Sequence, residues 1–319
     1  MKSFISSLFI LLPFLSLAQE YSYRTIEFNL QDGSDQGSFT YKNLRLYPIK
    51  AKASMKEQTK SITRYTPLKQ ALDRKKIKIT EKETTNESAE VNSLYVQNTS
   101  TDTVYLMAGE VVQGGKQDRV IGQDMILPPK SGKRKLSVYC VEHGRWTSAS
   151  GTAEFKDYYS VSGLSVRKAI DVDKDQSKVW EKVAEGNAKN KVQSSTGAYT
   201  ALRTSADYGK QEKEYFQALS PQVESVPDII GFIIVTGNKV TGCEIFATEQ
   251  LFRNASTNLL KSYIHEAITN GKPVNISTTT VKKYMDDLLV NQPDQEKKVN
   301  AKGKLFSANG KKIHLTTYD

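Results

Sequence analysis

Between Val91 and Cys140 the chain offers four segments rich in β-branched and aromatic residues: SLYVQN, TVYLMAGEVV, MILPP and KLSVYCVE. Tight connections at Asn98–Asp102, Gly114–Gly115 and Pro128–Gly132 separate them. Strand-forming side chains at this spacing predict an antiparallel sheet or sandwich. Gly114 and Gly115 are expected to take positive φ at a bend. Upstream, Ile26, Phe28 and Leu30 alternate, as do Phe39, Tyr41, Leu44 and Leu46, on either side of turn residues 32–37. That pattern predicts a strand pair. Residues 51–65 read as a polar loop, followed by a helical turn behind Pro67 and a strand at Ile77–Ile79.

After Gly163 the apolar period changes from two to about 3.6. Val179, Val183, Ala184 and Ala188 recur at helical spacing, with Asp173 and Asp175 as cap candidates and Trp180 as a large anchor. A second helix is expected at Lys210–Leu219, stopped by Ser220 and Pro221. The run IIGFIIV, a turn at Thr236–Lys239 and VTGCEIF form the clearest hairpin. Leu259, Leu260, Tyr263, Ile264, Ala267 and Ile268 make one helical stripe. A short helix at Val281–Leu289 and a hairpin turn at Asn309–Gly310 close the chain. Strands cluster early and helices late, so the expected class is α+β: an antiparallel β-rich N-terminal half (residues 19–162) packed with a helical C-terminal half (residues 163–319) that contains a β-hairpin.

The N-terminus carries one charge at Lys2, an apolar stretch from Phe4 to Leu15, and small residues at Ser16 and Ala18. This reads as a signal peptide, residues 1–18, with cleavage after Ala18 and export to a periplasmic or extracellular space. Removing residues 1–18 from 319 leaves 301, read as a single domain. No later apolar run is long enough to span a bilayer. The net charge of +10 comes from lysines scattered among acids, and with no nucleic-acid-binding motif the basic residues read as solvated surface. Cys140 and Cys243 both lie in strand-like stretches, leaving a disulfide and two buried thiols as alternatives. Two cysteines and three dispersed histidines, His143, His265 and His314, give no metal site, and nothing points to a cofactor.

Chemistry-bearing residues concentrate between Gly109 and Trp146, in GEVVQGGKQDRVIGQDMILPP and CVEHGRW. Neighbouring strands there would bring Glu110, Arg119, Glu142 and Arg145 together at one sheet edge. Three readings follow. In a binding site for a small polar or anionic ligand, sugar- or nucleotide-like, Arg119 and Arg145 make forked bonds to phosphate or carboxylate, Lys116 and Gln117 sit beside them, and Trp146 stacks. In a hydrolase, Glu110 and Glu142 act as acid and base. In a purely structural network, Arg–Glu pairs lock the sheet to the helices. Binding without catalysis is the reading adopted, with Gln176, Ser195 and Thr196 as secondary candidates.

The succession ALDRKKIKITEK, SLYVQNTSTDTVYLMAGEVVQGGKQDRVI, CVEHGRW, DQSKVWEKV, QSSTGAY and GNKVTGCEIF resembles the ARPP domain family, named for association with ADP-ribosylglycohydrolase and rhodanese-phosphatase proteins. The likeness runs from about Leu68 to about Ile268. It implies one domain centred on Glu110, Gly115, Gln117, Arg119, Glu142, Arg145 and Trp146, with Gln176, Trp180, Ser195 and Thr196 as further matching positions. The family's associations imply an ADP-ribose-like ligand.

Overall fold

The strand-rich stretch closes on itself. In the computed structural model, which describes residues 19–30, 39–81, 92–145, 154–290 and 292–319, six antiparallel strands form a barrel. Their order is Arg134–Cys140, Ser93–Asn98, Ile77–Glu81, Glu154–Val161, Glu110–Gly114, Arg119–Ile121 and back to the first. Closure leaves short strands without free edges. Ile79, Val96, Val112, Ile121, Val138 and Phe155 belong to its core, and the short helix Leu68–Asp73 packs on the same core through Leu68, Ala71 and Leu72. Gly114 and Gly115 do take positive φ, +133° and +55°.

The second layer is a seven-stranded antiparallel sheet in the order Ile26–Phe28, Leu44–Ala51, Ile229–Thr236, Lys239–Phe246, Lys311–Tyr318, Gly303–Ala308, with Phe39–Tyr41 paired to Leu44–Ala51. The IIGFIIV hairpin lies at its centre, and every residue of Ile229–Thr236 is buried. The reason is that helices cover both faces. Glu249–Thr269 and Ala206–Ser225 pack against Phe232, Ile234 and Phe246; Thr278–Leu288, Gln292–Lys302 and Ala53–Thr59 pack against Ile233, Val235 and Ile245. The early strands 26–51 thus join this sheet and not the barrel.

Two expectations need correction. Residues 53–59 form a helix where a loop was expected, because Met55 and Thr59 turn inward and are buried. The helix Ala206–Ser225 runs through Pro221 instead of stopping there, since Pro221 lies on an exposed face while Leu219 and Val223 hold either side of it in the core. Asp175 caps the helix Gln176–Lys189 as expected, accepting from the backbone N–H groups of Ser177 and Lys178 at 2.7 and 3.1 Å.

Between barrel and sheet runs a buried network of charges. Arg167, on the helix Leu164–Lys168 that follows the last barrel strand, forks onto Glu244 of the sheet at 3.0 and 2.5 Å. His314 bridges Glu244 at 2.8 Å and Asp124 at 3.4 Å, Tyr263 donates to Glu244 at 2.6 Å, and Lys304 pairs with Asp124 and with Asp171, the latter at 2.9 Å. His314 has no carboxylate beside it along the chain; the fold supplies two. Burial alone would raise the Glu244 and Asp124 carboxyls, but Arg167, Lys304 and His314 hold both well below the usual carboxylate range. Burial would likewise depress His314, yet its bonds to Asp124 and Glu244 raise it. Gly109 (φ +92°) lies flat against Arg167, where an added Cβ would come within 2.8 Å of its Cγ.

Removing one partner of a buried pair strands the other's charge. Arg167→Ala is expected to lower the unfolding free energy in urea by about 3–5 kcal/mol, and Arg167→Ala combined with Glu244→Gln by less than that single change; equal losses would mean the pairing carries no stability.

Candidate functional site

The polar residues nominated by sequence fall into two groups. At the hairpin end of the barrel, the Gly114–Gly115 bend packs on Phe155 and Glu81, and an added Cβ at Gly115 would meet both. Arg119, 1 % exposed, points into the barrel: it donates to the Gln117 carbonyl at 2.9 Å, to the Gln117 side chain at 3.3 Å, and lies 3.6 Å from Glu81. Lys116 is half-buried and its backbone N–H donates to Glu81 at 3.0 Å. Beside this, Arg145 donates to Glu142 at 2.6 Å, to Asp118 at 3.0 Å and to the Gly115 carbonyl at 3.0 Å. Glu142 also accepts from Thr196 at 2.9 Å, and Asp118 from Thr200 at 3.1 Å.

All three guanidinium nitrogens of Arg145 are therefore spent on the protein, and Arg119 is sealed. Gln176 is spent too, exchanging bonds of 2.8 and 2.9 Å with the backbone N–H and C=O of Cys140, as a strand neighbour would. Ser195 is exposed and makes no hydrogen bond with the described residues. Trp146 lies outside the described residues. Cys140 and Cys243 are both buried, one in the barrel and one in the sheet, and no disulfide joins them.

Glu110 does not join Arg119, Glu142 and Arg145. It starts the strand on which Val112, two residues on, is the partner of Arg119, and its carboxylate accepts from the Met107 N–H at 2.8 Å. It lines a cavity of about 20 Å³ with Tyr65, Tyr105, Met107 and Tyr158, room for about one water molecule. Burial pushes its carboxyl up to about 8, against a hydrogen bond from the Met107 N–H that favours the charged form. Glu110 and Glu142 therefore do not flank one cleft, and the acid–base pair expected for a hydrolase is not formed.

A third place was not signalled by the polar motifs. The 3-10 turn Tyr199–Thr204 is tied to the barrel end by Thr200, and by the Tyr199 N–H to the Val141 carbonyl at 2.8 Å. Its other side, with the barrel strand Glu154–Val161 and the helices Ala206–Ser225 and Glu249–Thr269, encloses a cleft of about 130 Å³. Tyr159, Tyr199 and Tyr208 wall it, and Arg203, Glu212 and Lys261 supply charge. The Arg203 guanidinium lies over the Tyr159 ring, 4.5 Å from its centre. Neither Glu212 nor Lys261 has a hydrogen bond or ion pair with the described residues. Burial raises the Glu212 carboxyl, with Lys261 and Arg203 opposing. His265, at the back, is buried, lies 3.0 Å from the Tyr208 hydroxyl through Nδ1, and is lowered by burial to about 4, so it is neutral at physiological pH. A wider open depression of about 520 Å³ at Lys56, Lys60 and Arg64 is less suited, since Lys56 pairs with Asp228 at 2.7 Å and Lys60 with Glu57. Among the described residues no group of three His, Cys, Asp or Glu side chains is placed to hold a metal ion, and no helix is long and apolar enough to cross a membrane.

The family model of the ARG and Rhodanese-Phosphatase-superfamily-associated Protein domain, ARPP-1, matches residues 35–317. The chain belongs to the ARPP-1 family. Comparison with curated proteins and with solved structures gave no significant match. In this ARPP-1 chain the family-like segments CVEHGRW and QSSTGAY meet, through Glu142 and Thr196, and the second of them leads directly into Tyr199 and Arg203 of the cleft. Glu212, Lys261 and His265 stand on helices whose sequence shows only amphipathic spacing, so their convergence is a property of the fold.

Glu110 gives the ARPP-1 domain a specific pH response. Its folded-state proton is held up to about pH 8, whereas the unfolded chain releases it near 4.5. The stability it contributes is full below about 4.5 and falls as pH rises to about 8. Glu110→Gln should therefore gain on the parent by several kcal/mol between pH 4.5 and pH 8, read as the difference of two urea-unfolding curves; a difference independent of pH would show that Glu110 is not desolvated.

Proposed function

We propose that the protein is an exported, non-catalytic binding module for a small polar or anionic solute, and that the cleft at Tyr159, Arg203, Glu212 and Lys261 is its site. The observation that carries this reading is the contrast between committed and uncommitted charge. Arg145 and Glu142 are committed to protein partners and Arg119 is sealed inside the barrel, whereas the side chains of Glu212 and Lys261 face a cleft without a partner among the described residues. Desolvated polar groups left unpaired are costly, and a bound solute would satisfy them. Tyrosine walls give such a solute rigid contact area with little entropy to lose. At about 130 Å³ the cleft is smaller than the ~300–1,000 Å³ that holds drug-sized ligands, which favours a monosaccharide-sized solute over a whole nucleotide sugar.

In this reading the Arg145 cluster positions the cleft without touching the solute, because Thr196 and Thr200 bind the turn that carries Tyr199 and Arg203. Export is supported by the N-terminal residues 1–18 as a signal peptide. Cleavage would place Gln19 first, where its side-chain amide is bonded to both backbone groups of Lys312, at 2.7 and 2.9 Å. The secreted form is expected to have a mass beginning at Gln19; a mature protein that retains residues 1–18 sinks that part of the reading.

Thermal-shift screening against hexuronates, sugar phosphates and nucleotides tests the site. A saturating ligand at about 100 times its Kd stabilises by about 2.7 kcal/mol, a rise of several degrees, and Tyr159→Ala should abolish it. A panel in which nothing raises the melting temperature argues that the cleft is not a binding site.

A further inference from the structure

Resting on the cleft as the binding site, we propose that its ligand is a monoanion of single-ring size, a carboxylate carried on a sugar or aromatic ring. The charge count points there first. With Glu212 ionised, Arg203 and Lys261 set two positive charges against its one negative, while His265 is neutral, so the cleft carries a net charge of about +1, and protonation of Glu212 adds one more. One carboxylate neutralises it. A phosphate monoester, closer to two negative charges, would leave an uncompensated charge among tyrosine walls.

Geometry points the same way. Arg203 comes from the 3-10 turn, Lys261 from the helix Glu249–Thr269 and Glu212 from the helix Ala206–Ser225, and both cations act on Glu212 without bonding it. A carboxylate between Arg203 and Lys261 accepts from a forked guanidinium and a point-charge ammonium. The Tyr199 hydroxyl already accepts from the Gly163 N–H at 3.0 Å, so its own proton is free to donate. The flat walls and the volume then admit one ring.

Glu212 becomes the group that reports the ligand's charge. It faces Arg203, Lys261, Tyr159, Tyr199 and Tyr208, and His265 lines the same cleft. Ionised, it competes with an anion for Arg203 and Lys261. Protonated, it donates a hydrogen bond instead. Binding of a carboxylate is therefore strongest when Glu212 holds its proton and weakens as pH rises through its raised pKa.

Isothermal titration of the mature chain with glucuronate, galacturonate and 4-hydroxybenzoate, with glucose, glucosamine, 4-hydroxybenzamide, acetate and inorganic phosphate as comparators, decides the matter. At least one ring carboxylate should bind tenfold or more tighter than its neutral analogue, and the sugar and aromatic arms say which ring is meant. Lys261→Met and Arg203→Ala should each weaken it about tenfold, with the unliganded melting temperature confirming the fold. Glu212→Gln should bind as tightly or more tightly and lose the pH dependence. Loss of binding in Glu212→Gln, a preference for glucosamine, or equal binding of glucose, acetate or phosphate would overturn the proposal. If nucleotides alone bind and Tyr159→Ala abolishes it, the ligand class falls and the site stands; if no compound binds, both fall.

Discussion

A guanidinium inside a protein must be paid for by anions at fixed positions, and the relation of barrel to sheet depends on that requirement at Arg167. Its fork onto Glu244 fixes the helix that leaves the barrel against the middle of the sheet, and His314 carries the linkage on to Asp124. Arg167, Lys304 and the His314 imidazole, whose pKa its two carboxylate neighbours raise, stand against three carboxylates, Glu244, Asp124 and Asp171. Glu110 lies nearby, and its burial favours the neutral acid. Apolar packing would hold the two layers together in many registers; pairs with such directional demands select one.

That selection carries through to the cleft. The barrel strand Glu154–Val161 presents Tyr158 to Glu110 and, across an irregularity in its pairing between Tyr158 and Ser160, Tyr159 and Ser160 to the cleft. The helix Glu249–Thr269 is held to the segment after that strand by Ser262 on the Ser162 carbonyl at 2.6 Å and by Glu266 on Ser165 at 2.8 Å, which sets the height at which Lys261 and His265 meet the tyrosines. Glu142, Arg145 and Thr196, prominent in the sequence, thus bond to one another beside the turn, and residues with no motif of their own line the cleft.

Local pattern was enough to read the class and many of the elements. The alternation around Ile229–Thr236, the Asp175 cap and the Gly114–Gly115 bend rest on interactions within a few residues, and each is where the pattern put it. Barrel closure was not legible, because it depends on Glu154–Val161 returning to pair with both Ile77–Glu81 and Glu110–Gly114. The separation of Glu110 from Arg119 was hidden for the same reason. Glu110 and Arg119 are near in sequence and on adjacent strands, but strand rise of about 3.4 Å per residue separates their polar ends, and one side chain goes to Met107 while the other goes to Glu81. His314, with no acid beside it in the chain, acquired two from elsewhere in the fold. Proximity in sequence misleads for polar groups whenever the partner is chosen by tertiary register.

The burial of the two cysteines bears on the export proposed above, which would carry the chain into an oxidising compartment. Exchange with glutathione or a disulfide catalyst proceeds through the thiolate, and burial pushes Cys140 up to about 11 and Cys243 higher still, so neither ionises appreciably once folded. Mispairing or intermolecular cross-linking is therefore open chiefly to the chain before it folds. In the folded molecule the barrel around Cys140 and the sheet and helices around Cys243 are what keep both sulfurs protonated.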